Sequence, residues 1–488
     1  MVRQTSMIRL DTTRAFVAAC VAHIALSTLL GAQQPQTAYQ RMGRDILREL
    51  VETNTEHSIG STTKAAELLA ARFRAAGFPT SDVEVVGPDT GTDRKDKNLL
   101  VRYRGAGKRR PILLIGHLDV VEARPSDWAR DPFTLIEENG YFYGRGTLDM
   151  KDGDAAWAAA LLRMKQEGVI PDGDYILALT AGEEGGGGYN GIQWLLANRK
   201  DLAGVPLASV QYVLNADAGG GELRNGKPIA LDVQAAEKVF YSLSLTARNP
   251  GGHSSLPRKD NAIYALAHAL DRLSRYDFPI RTNPVTRAYF AQTASLVGEP
   301  TIAAAMRAVS ASEVPDSAAA ERLAARSAFY NAQLRTTCVA TLLQGGHAEN
   351  ALPQMAQATV NCRMLPGTNP SDVDATIRRV VGDTSIVVAP LRAAVASPPS
   401  VLPPAVHREI QQVVTSLWGA LPIVPNMETG ATDGLFLRNA GLSVYGVSGL
   451  YADPTIDADN RAHGLNERIG VHAFYDQLEF TYRLLRGL

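Results

Sequence analysis

The sequence predicts an α/β fold: a mainly parallel sheet flanked by helices, with a smaller β-α-β-β-α-β unit inserted into it. Three observations carry that prediction. The apolar runs 111–116 (PILLIG), 175–181 (YILALTA) and 211–216 (QYVLNA) are continuous, as in strands buried on both faces by helices. Such runs alternate with helical patterns across 97–237, the order of a largely parallel sheet. Near Val239 the pattern changes to a strand that alternates apolar with polar residues, and a new unit begins there.

Length and charge set the outer bounds. A chain of 488 residues exceeds what one hydrophobic core usually serves, so more than one domain is expected. The formal net charge of −1 lacks the basic excess that a nucleic-acid or anionic-membrane binder needs.

The elements follow in chain order. Arg3, Arg9 and Arg14 flank or precede the apolar stretch 15–30, which ends at Gly31-Ala32. That order reads as a secretory signal peptide over 1–32. The stretch is shorter than the roughly 20 residues of a membrane span, so a secreted or periplasmic protein without a stable span after processing is expected. Residues 40–77 have helical spacing and stop at Gly77 before Pro79. Residues 133–138 and 141–144 read as a hairpin turning on Asn139-Gly140 in a type I′ turn. A helix follows at 155–166 and stops at Gly168.

In the inserted unit, strand 239–247 leads into the Gly-rich turn Asn249-Pro250-Gly251-Gly252-His253-Ser254-Ser255. Helix 261–273, strands 336–343 and 356–363, helix 370–381 and strand 384–388 complete the β-α-β-β-α-β order. Residues 276–333, rich in Ala, Arg and Ser, form a helical insertion within it. Pro398-Pro399 and Pro403-Pro404 mark the exit, and 405–488 returns to α/β character with a strand at 442–447. The expected division is therefore 33–237 and 394–488 as two parts of one domain, with 238–393 between them. Cys338 and Cys362 are symmetric in number about Asn350, so a hairpin sets them opposite each other. A disulfide and two buried thiols both fit that placement.

The chemistry lies where the apolar runs end. The first runs into His117-Leu118-Asp119, the second into Gly182-Glu183-Glu184, and the third into Asp217. Ligands of open α/β sheets gather outside the carboxyl ends of the strands. Singly, each feature has a bland reading: a satisfied core His, a solvated Glu pair, or Asp149 as the cap of a helix beginning near Gly153. Three strand ends converging with Asp149 and His463 favour a metal site instead. Zinc takes imidazole nitrogen and carboxylate oxygen, and two zincs can share one carboxylate. His117, Asp149, Glu184, Asp217 and His463 suit that role, with Asp149 as the bridge after the Gly144-Arg145-Gly146 turn. Cobalt or manganese would accept the same donors. Asp119, two positions beyond His117, is placed to accept the imidazole's second N–H. Of the adjacent Glu183 and Glu184, one serves as ligand and leaves the other free to move a proton. The glycine run 185–188 lacks the Lys-Ser/Thr of a phosphate loop, and no nucleic acid is expected as a partner.

These residues resemble a known family. His117-x-Asp119-Val120-Val121, Gly144-Arg145-Gly146-x-x-Asp149-Met150-Lys151, Glu183-Glu184 and Asp217 occur in the order of the co-catalytic zinc exopeptidases. That family includes carboxypeptidase G, aminoacylase, acetylornithine deacetylase and succinyl-diaminopimelate desuccinylase. Gly251-Gly252-His253-Ser254-Ser255, Asn350-x-x-Pro353, Thr429-Gly430-x-x-Asp433 and His463-Gly464-x-Asn466-Glu467 continue the match, which spans about 95–485. The resemblance implies a di-zinc catalytic domain and an inserted lid or dimerisation domain. It assigns His117 and Asp217 to one zinc, Glu184 and His463 to the other, Asp149 to both, and Glu183 as general base. It makes His253 an oxyanion-stabilising histidine from the lid, and places Asn350, Arg363 and Gly430 at the substrate's carboxylate end. Arg363 also has a plain reading as a strand-surface ion pair.

Two departures refine the expectation. Asp217 stands where the deacylase and carboxypeptidase G branches often have Glu, which resembles the dipeptidase and carboxypeptidase S branches. The 276–333 insertion resembles the longer members of the latter branch and is expected to cover the pairing edge of the lid, leaving a monomer or a lid-mediated homodimer. The implied activity is hydrolysis of an amide beside a free carboxylate in a small peptide. An N-acyl-amino-acid amidohydrolase is the alternative, and an inactive metal-binding or scaffold protein is the reading from a different class.

Overall fold

The computed structural model describes residues 36–88, 96–185, 188–453 and 461–488; the signal peptide expected at 1–32 lies outside them. The helical spacing over 40–77 resolves into two helices, α1 (Ala38–Glu52) and α2 (Thr62–Ala75). They part because Ser61 caps the second, its hydroxyl accepting the Lys64 N–H at 3.3 Å. Strands β1 (Val83–Val86), β2 (Asn98–Tyr103) and β3 (Ile112–His117) follow, then the hairpin of β4 (Ile136–Glu138) and β5 (Tyr141–Tyr143). Asn139 and Gly140 both have positive φ, 52° and 80°, as the type I′ turn requires.

Helix α3 (Lys151–Gln166) starts earlier than expected, with Met150 at its N-cap and no side-chain cap, so Asp149 is not a capping residue. Its alanines are buried, and Trp157 donates to the Ile115 carbonyl at 3.1 Å, seating the helix on β3. Two glycines permit this approach. A Cβ at Gly116 would lie 2.3 Å from an Asp154 oxygen, and one at Gly153 would lie 2.8 Å from the Ala216 Cβ. Next come β6 (Tyr175–Thr180), α4 (Gly191–Asn198), β7 (Tyr212–Asn215), β8 (Gly220–Arg224) and β9 (Lys227–Glu237).

A second set of elements begins at β10 (Val239–Arg248), followed by the short β11 (Gly252–His253) and α5 (Ala262–Ser274). Four helices form the insertion: α6 (Pro284–Thr293), α7 (Pro300–Val309), α8 (Ser317–Arg326) and α9 (Ala328–Leu334). Then β12 (Thr337–Gly345), β13 (Ala351–Leu352), β14 (Met355–Met364), α10 (Pro370–Val381) and β15 (Val387–Pro390) complete the set. The chain returns through α11 (Pro404–Trp418), β16 (Ile423–Glu428), α12 (Gly434–Asn439), β17 (Val444–Gly446), β18 (Tyr451–Ala452), β19 (Arg468–Gly470) and α13 (Val471–Gly487).

The large sheet has the order β1-β2-β6-β3-β7-β17-β9-β8-β18, with β16 also paired to β9. Its centre, β6-β3-β7-β17, is parallel, while β1, β2, β8 and β9 each run antiparallel to a neighbour. The smaller sheet, β12-β14-β10-β15, is antiparallel, and helices α5 and α10 cover one face through Leu266, Leu273, Val373 and Ile377. Cys338 and Cys362 face each other across β12 and β14 and form a disulfide.

The insertion does not cover the pairing edge as expected. Its apolar residues Phe290, Met306, Leu323 and Leu334 pack with Ala230 of β9 and Val424 of β16, on the large sheet. Gln333 anchors it there by donating to the Met427 carbonyl at 2.6 Å. Amphipathic helices go where an apolar face is offered, and β9–β16 offers one. Edge strand β12 is left open, with Val339, Leu342 and Leu343 at 61%, 64% and 69% exposure. Among the described residues no helix is long and apolar enough to cross a membrane.

The two sheets meet at one buried carboxylate. Glu237, the last residue of β9, accepts from Arg438 Nη1 at 2.6 Å, Ser397 Oγ at 2.7 Å and the Thr432 N–H at 2.9 Å. Ser397 lies on the segment returning from the second sheet, so both crossings are tied to one point. Removing one member of such a buried pair leaves an uncompensated charge. Arg438→Met is predicted to cost about 3–5 kcal/mol of unfolding free energy in urea melts; a loss under about 1 kcal/mol would show that the pair does not secure the crossing.

Candidate metal centre

Three adjacent parallel strands build the floor of the site. In the order β6-β3-β7, their carboxyl ends deliver Glu183 and Glu184, His117, and Asp217 to one rim. Asp149 arrives on the turn between β5 and α3, and His463 on the segment before β19. Both are set by a buried ion pair, Arg145 Nη1 with Glu467 Oε2 at 2.6 Å. Arg145 also donates to the carbonyls of His463 and Gly464, at 3.3 and 3.1 Å. Glu467 accepts the N–H groups of Leu148 and Asp149, at 2.7 and 3.1 Å. One pair therefore fixes two of the converging side chains. Both residues lie within motifs visible in the sequence, but their joint role needs the fold.

The convergence is specific in its geometry. Asp149 lies between the imidazoles, with Oδ1 3.3 Å from His117 Nε2 and Oδ2 3.0 Å from His463 Nε2. Each imidazole has a second carboxylate of its own. Asp217 Oδ1 is 3.6 Å from His117 Nε2, and Glu184 Oε2 is 2.9 Å from His463 Nε2. His117, Asp149 and Glu184 hold ligand atoms within 4.8 Å of one another. Glu183 stands further off, its Oε2 4.0 Å from His117 Nε2.

Asp119 departs from expectation. His117 Nδ1 meets the Asp119 backbone carbonyl at 3.0 Å, while the Asp119 carboxylate is 3.9 Å away. That carboxylate instead accepts three backbone N–H groups, from Gly182 at 2.7 Å, Glu183 at 3.2 Å and Glu184 at 3.0 Å. Asp119 thus orients the His117 ring through its main chain and the Glu183-Glu184 turn through its side chain. Asp433 supports the same strand end, accepting from Thr180 Oγ1 at 2.7 Å and Asn190 Nδ2 at 2.5 Å.

Burial governs the electrostatics. It pushes Asp217 up to about 7, against the pull of His117. Burial likewise raises Glu183 well above the ordinary carboxylate range, with His117 opposing and Asp217 and Asp433 reinforcing. Burial would raise Asp149 too, but its contacts with His117 and His463 hold it well below. Hydrogen bonds to Asp149 and Glu184 push His463 up to about 10. Four largely buried carboxylates thus face the buried His117 and the more exposed His463, an excess of negative charge that dications would neutralise. Carboxylate oxygen with imidazole nitrogen is also the donor set of zinc and its first-row neighbours. The residues fit a metal pair.

The remaining predicted residues divide. Arg363 lies half-buried on β14 with its guanidinium carbon 4.8 Å from the Phe240 ring centre, a cation–π contact in place of the surface ion pair considered for it. Burial lowers its pKa while the charge of Glu183 raises it, which places Arg363 within electrostatic reach of the site. His253 is exposed on β11, its Nδ1 2.7 Å from Ser255 Oγ. Asn350 is exposed, and its carbonyl accepts the Ser254 N–H at 3.0 Å. Gly430 is exposed just after β16, with open space where a side chain would go. Among the described residues, no hydrogen bond or ion pair joins His253, Asn350 or Gly430 to the acidic cluster.

The chain as a whole is similar to known proteins. Residues 113–487 match the model of peptidase family M20/M25/M40. The chain is 31% identical over 398 residues to the N-fatty-acyl-amino acid synthase/hydrolase PM20D1 of Homo sapiens, covering 77% of this chain and 74% of that one. It is 25% identical over 410 residues to the probable carboxypeptidase S-like 2 of Dictyostelium discoideum, covering 80% and 74%. Among solved structures, human carnosine dipeptidase 1 superposes with a TM-score of 0.64 at 16% identity, over 92% of this chain and 97% of that one.

Proposed function

Because the chain belongs to peptidase family M20/M25/M40, we propose that this hydrolase is a di-zinc exopeptidase, most like carboxypeptidase S, that cleaves an amide beside a free carboxylate. One observation carries the reading: Asp149 is shared between two imidazoles that each have a second carboxylate, and Glu183 is left over. His117 and Asp217 would hold one metal, Glu184 and His463 the other, and Asp149 both. When bound, the metals polarise the scissile carbonyl and acidify water.

The chain's own residues supply the rest. Glu183 takes a proton from the attacking water and delivers it to the leaving nitrogen, a task suited to a carboxylate whose pKa burial has raised. Arg363, which feels the charge of Glu183, receives the substrate's carboxylate. His253 reaches the developing oxyanion only when the second sheet closes over the first, so closure accompanies turnover. The second reading is an N-acyl-amino-acid amidohydrolase, favoured by the resemblance to a relative named as an N-fatty-acyl-amino acid synthase/hydrolase. Both reactions use the same side chains.

Export by the 1–32 leader completes the proposal, and the Cys338–Cys362 disulfide supports an oxidising compartment. The open β12 edge supports a homodimer paired through the second sheet, because an apolar unpaired edge is a template for another strand.

Two measurements check these claims. Glu183→Gln is predicted to keep its metal while kcat falls about 10²–10⁴-fold on dipeptides and N-acetyl amino acids; near-normal turnover would move the base elsewhere. Leu342→Lys is predicted to shift the protein from dimer to monomer in sedimentation. A wild-type monomer, or a variant that stays dimeric, would exclude pairing through β12.

A further inference from the structure

One row of residues crosses the second sheet where it joins the first. Thr337 of β12 faces Arg363 of β14, and Arg363 faces Phe240 of β10. Beyond β15 the Leu391 N–H donates to the Ser242 carbonyl at 2.9 Å, which carries the chain along β10 and brings Arg392 to the same ring. The guanidinium carbons of half-buried Arg363 and exposed Arg392 lie 4.8 and 5.0 Å from the Phe240 ring centre. A ring face attracts a guanidinium but does not neutralise it. Neither arginine forms an ion pair among the described residues. Lys238, two residues before Phe240, adds no standing charge: it is buried, donates to the Arg335 carbonyl at 2.9 Å and Thr337 Oγ1 at 3.2 Å, and burial with the nearby Arg363 charge pushes it down to about 7.

One arginine suffices for one substrate carboxylate. Two on a single ring, with no acid between them, make a place for two anionic groups, each met by a planar two-pronged donor. Building on the amide-hydrolase reading above, we propose that Arg392 forms a second anion subsite beside Arg363, selecting substrates whose free amino-acid portion carries an acidic side chain. Arg363 receives the α-carboxylate and Arg392 the side-chain carboxylate, with Phe240 holding both guanidinium groups in place. The chemical class is an N-acyl or peptidyl glutamate or aspartate.

Glutamate and glutamine differ in charge and hardly in shape, so they isolate the subsite. With the metal-loaded full chain, kcat/KM is measured for N-acetyl-glutamate and N-acetyl-glutamine, and glutarate binding is followed by calorimetry. The wild type is expected to favour the glutamate substrate by about tenfold or more, the scale of a hydrogen bond to a charged group. In Arg392→Gln that ratio should fall to near one and glutarate should bind about tenfold more weakly; Arg392→Lys should recover part of both. A wild-type ratio near one, or a ratio and glutarate affinity untouched by Arg392→Gln, would leave Arg392 a surface cation with no part in substrate selection and overturn the proposal. Arg392-dependent glutarate binding without hydrolysis of any N-acyl or dipeptide substrate would retain the subsite and reject the amide-hydrolase reading.

Discussion

Four carboxylates crowd two imidazoles at one rim, with His117 and the acids shielded from water and His463 at the open side, and the surrounding structure is organised around burying that negative charge. Left alone, Glu183 and Asp217 retain protons far above the usual carboxylate range because burial disfavours their charge. Neighbouring groups therefore have to hold each acid in a defined place. Asp119 spends its whole carboxylate on three backbone N–H groups of the Glu183-Glu184 turn. Arg145 and Glu467 hold Asp149 from one side and His463 from the other. Asp433 secures the end of β6 through Thr180 and Asn190. Positioning of this kind is what lets converging donor side chains keep their geometry.

The same logic extends to the junction of the two sheets. Glu237 binds Arg438 and Ser397, and also the backbone and hydroxyl of Thr432, the residue before Asp433. A continuous set of hydrogen bonds thus leads from the crossing between sheets to the strand end that carries Glu183. The insertion adds a further hold on the large sheet through Gln333 and the Phe290–Met306 cluster.

Much of this was legible in the sequence, and the limits have physical causes. Continuous apolar runs marked β3, β6 and β7, because strands buried on both faces cannot alternate. Their last residues then named His117, Glu183, Glu184 and Asp217. The Asn139-Gly140 hairpin followed from local turn chemistry, and the β12–β14 pairing of Cys338 with Cys362 from the symmetry of the loop. What depended on curled main chain was not legible: Asp119 orients His117 through a carbonyl, which no side-chain pattern records. Nor was the docking of the insertion, since helical periodicity shows an apolar face but not the surface that receives it. Arg392 was hidden for a similar reason. It meets Arg363 only through strand register and the path of the chain after β15.

The central claim is that Asp149 serves two metal positions, while Asp217 serves one. The direct test is metal content per chain, by elemental analysis of the wild type, Asp149→Ala and Asp217→Ala after loading with zinc and removal of free ion. Two metals are expected in the wild type, about one in Asp217→Ala and near none in Asp149→Ala. One metal in the wild type, or full occupancy in Asp149→Ala, would contradict the claim.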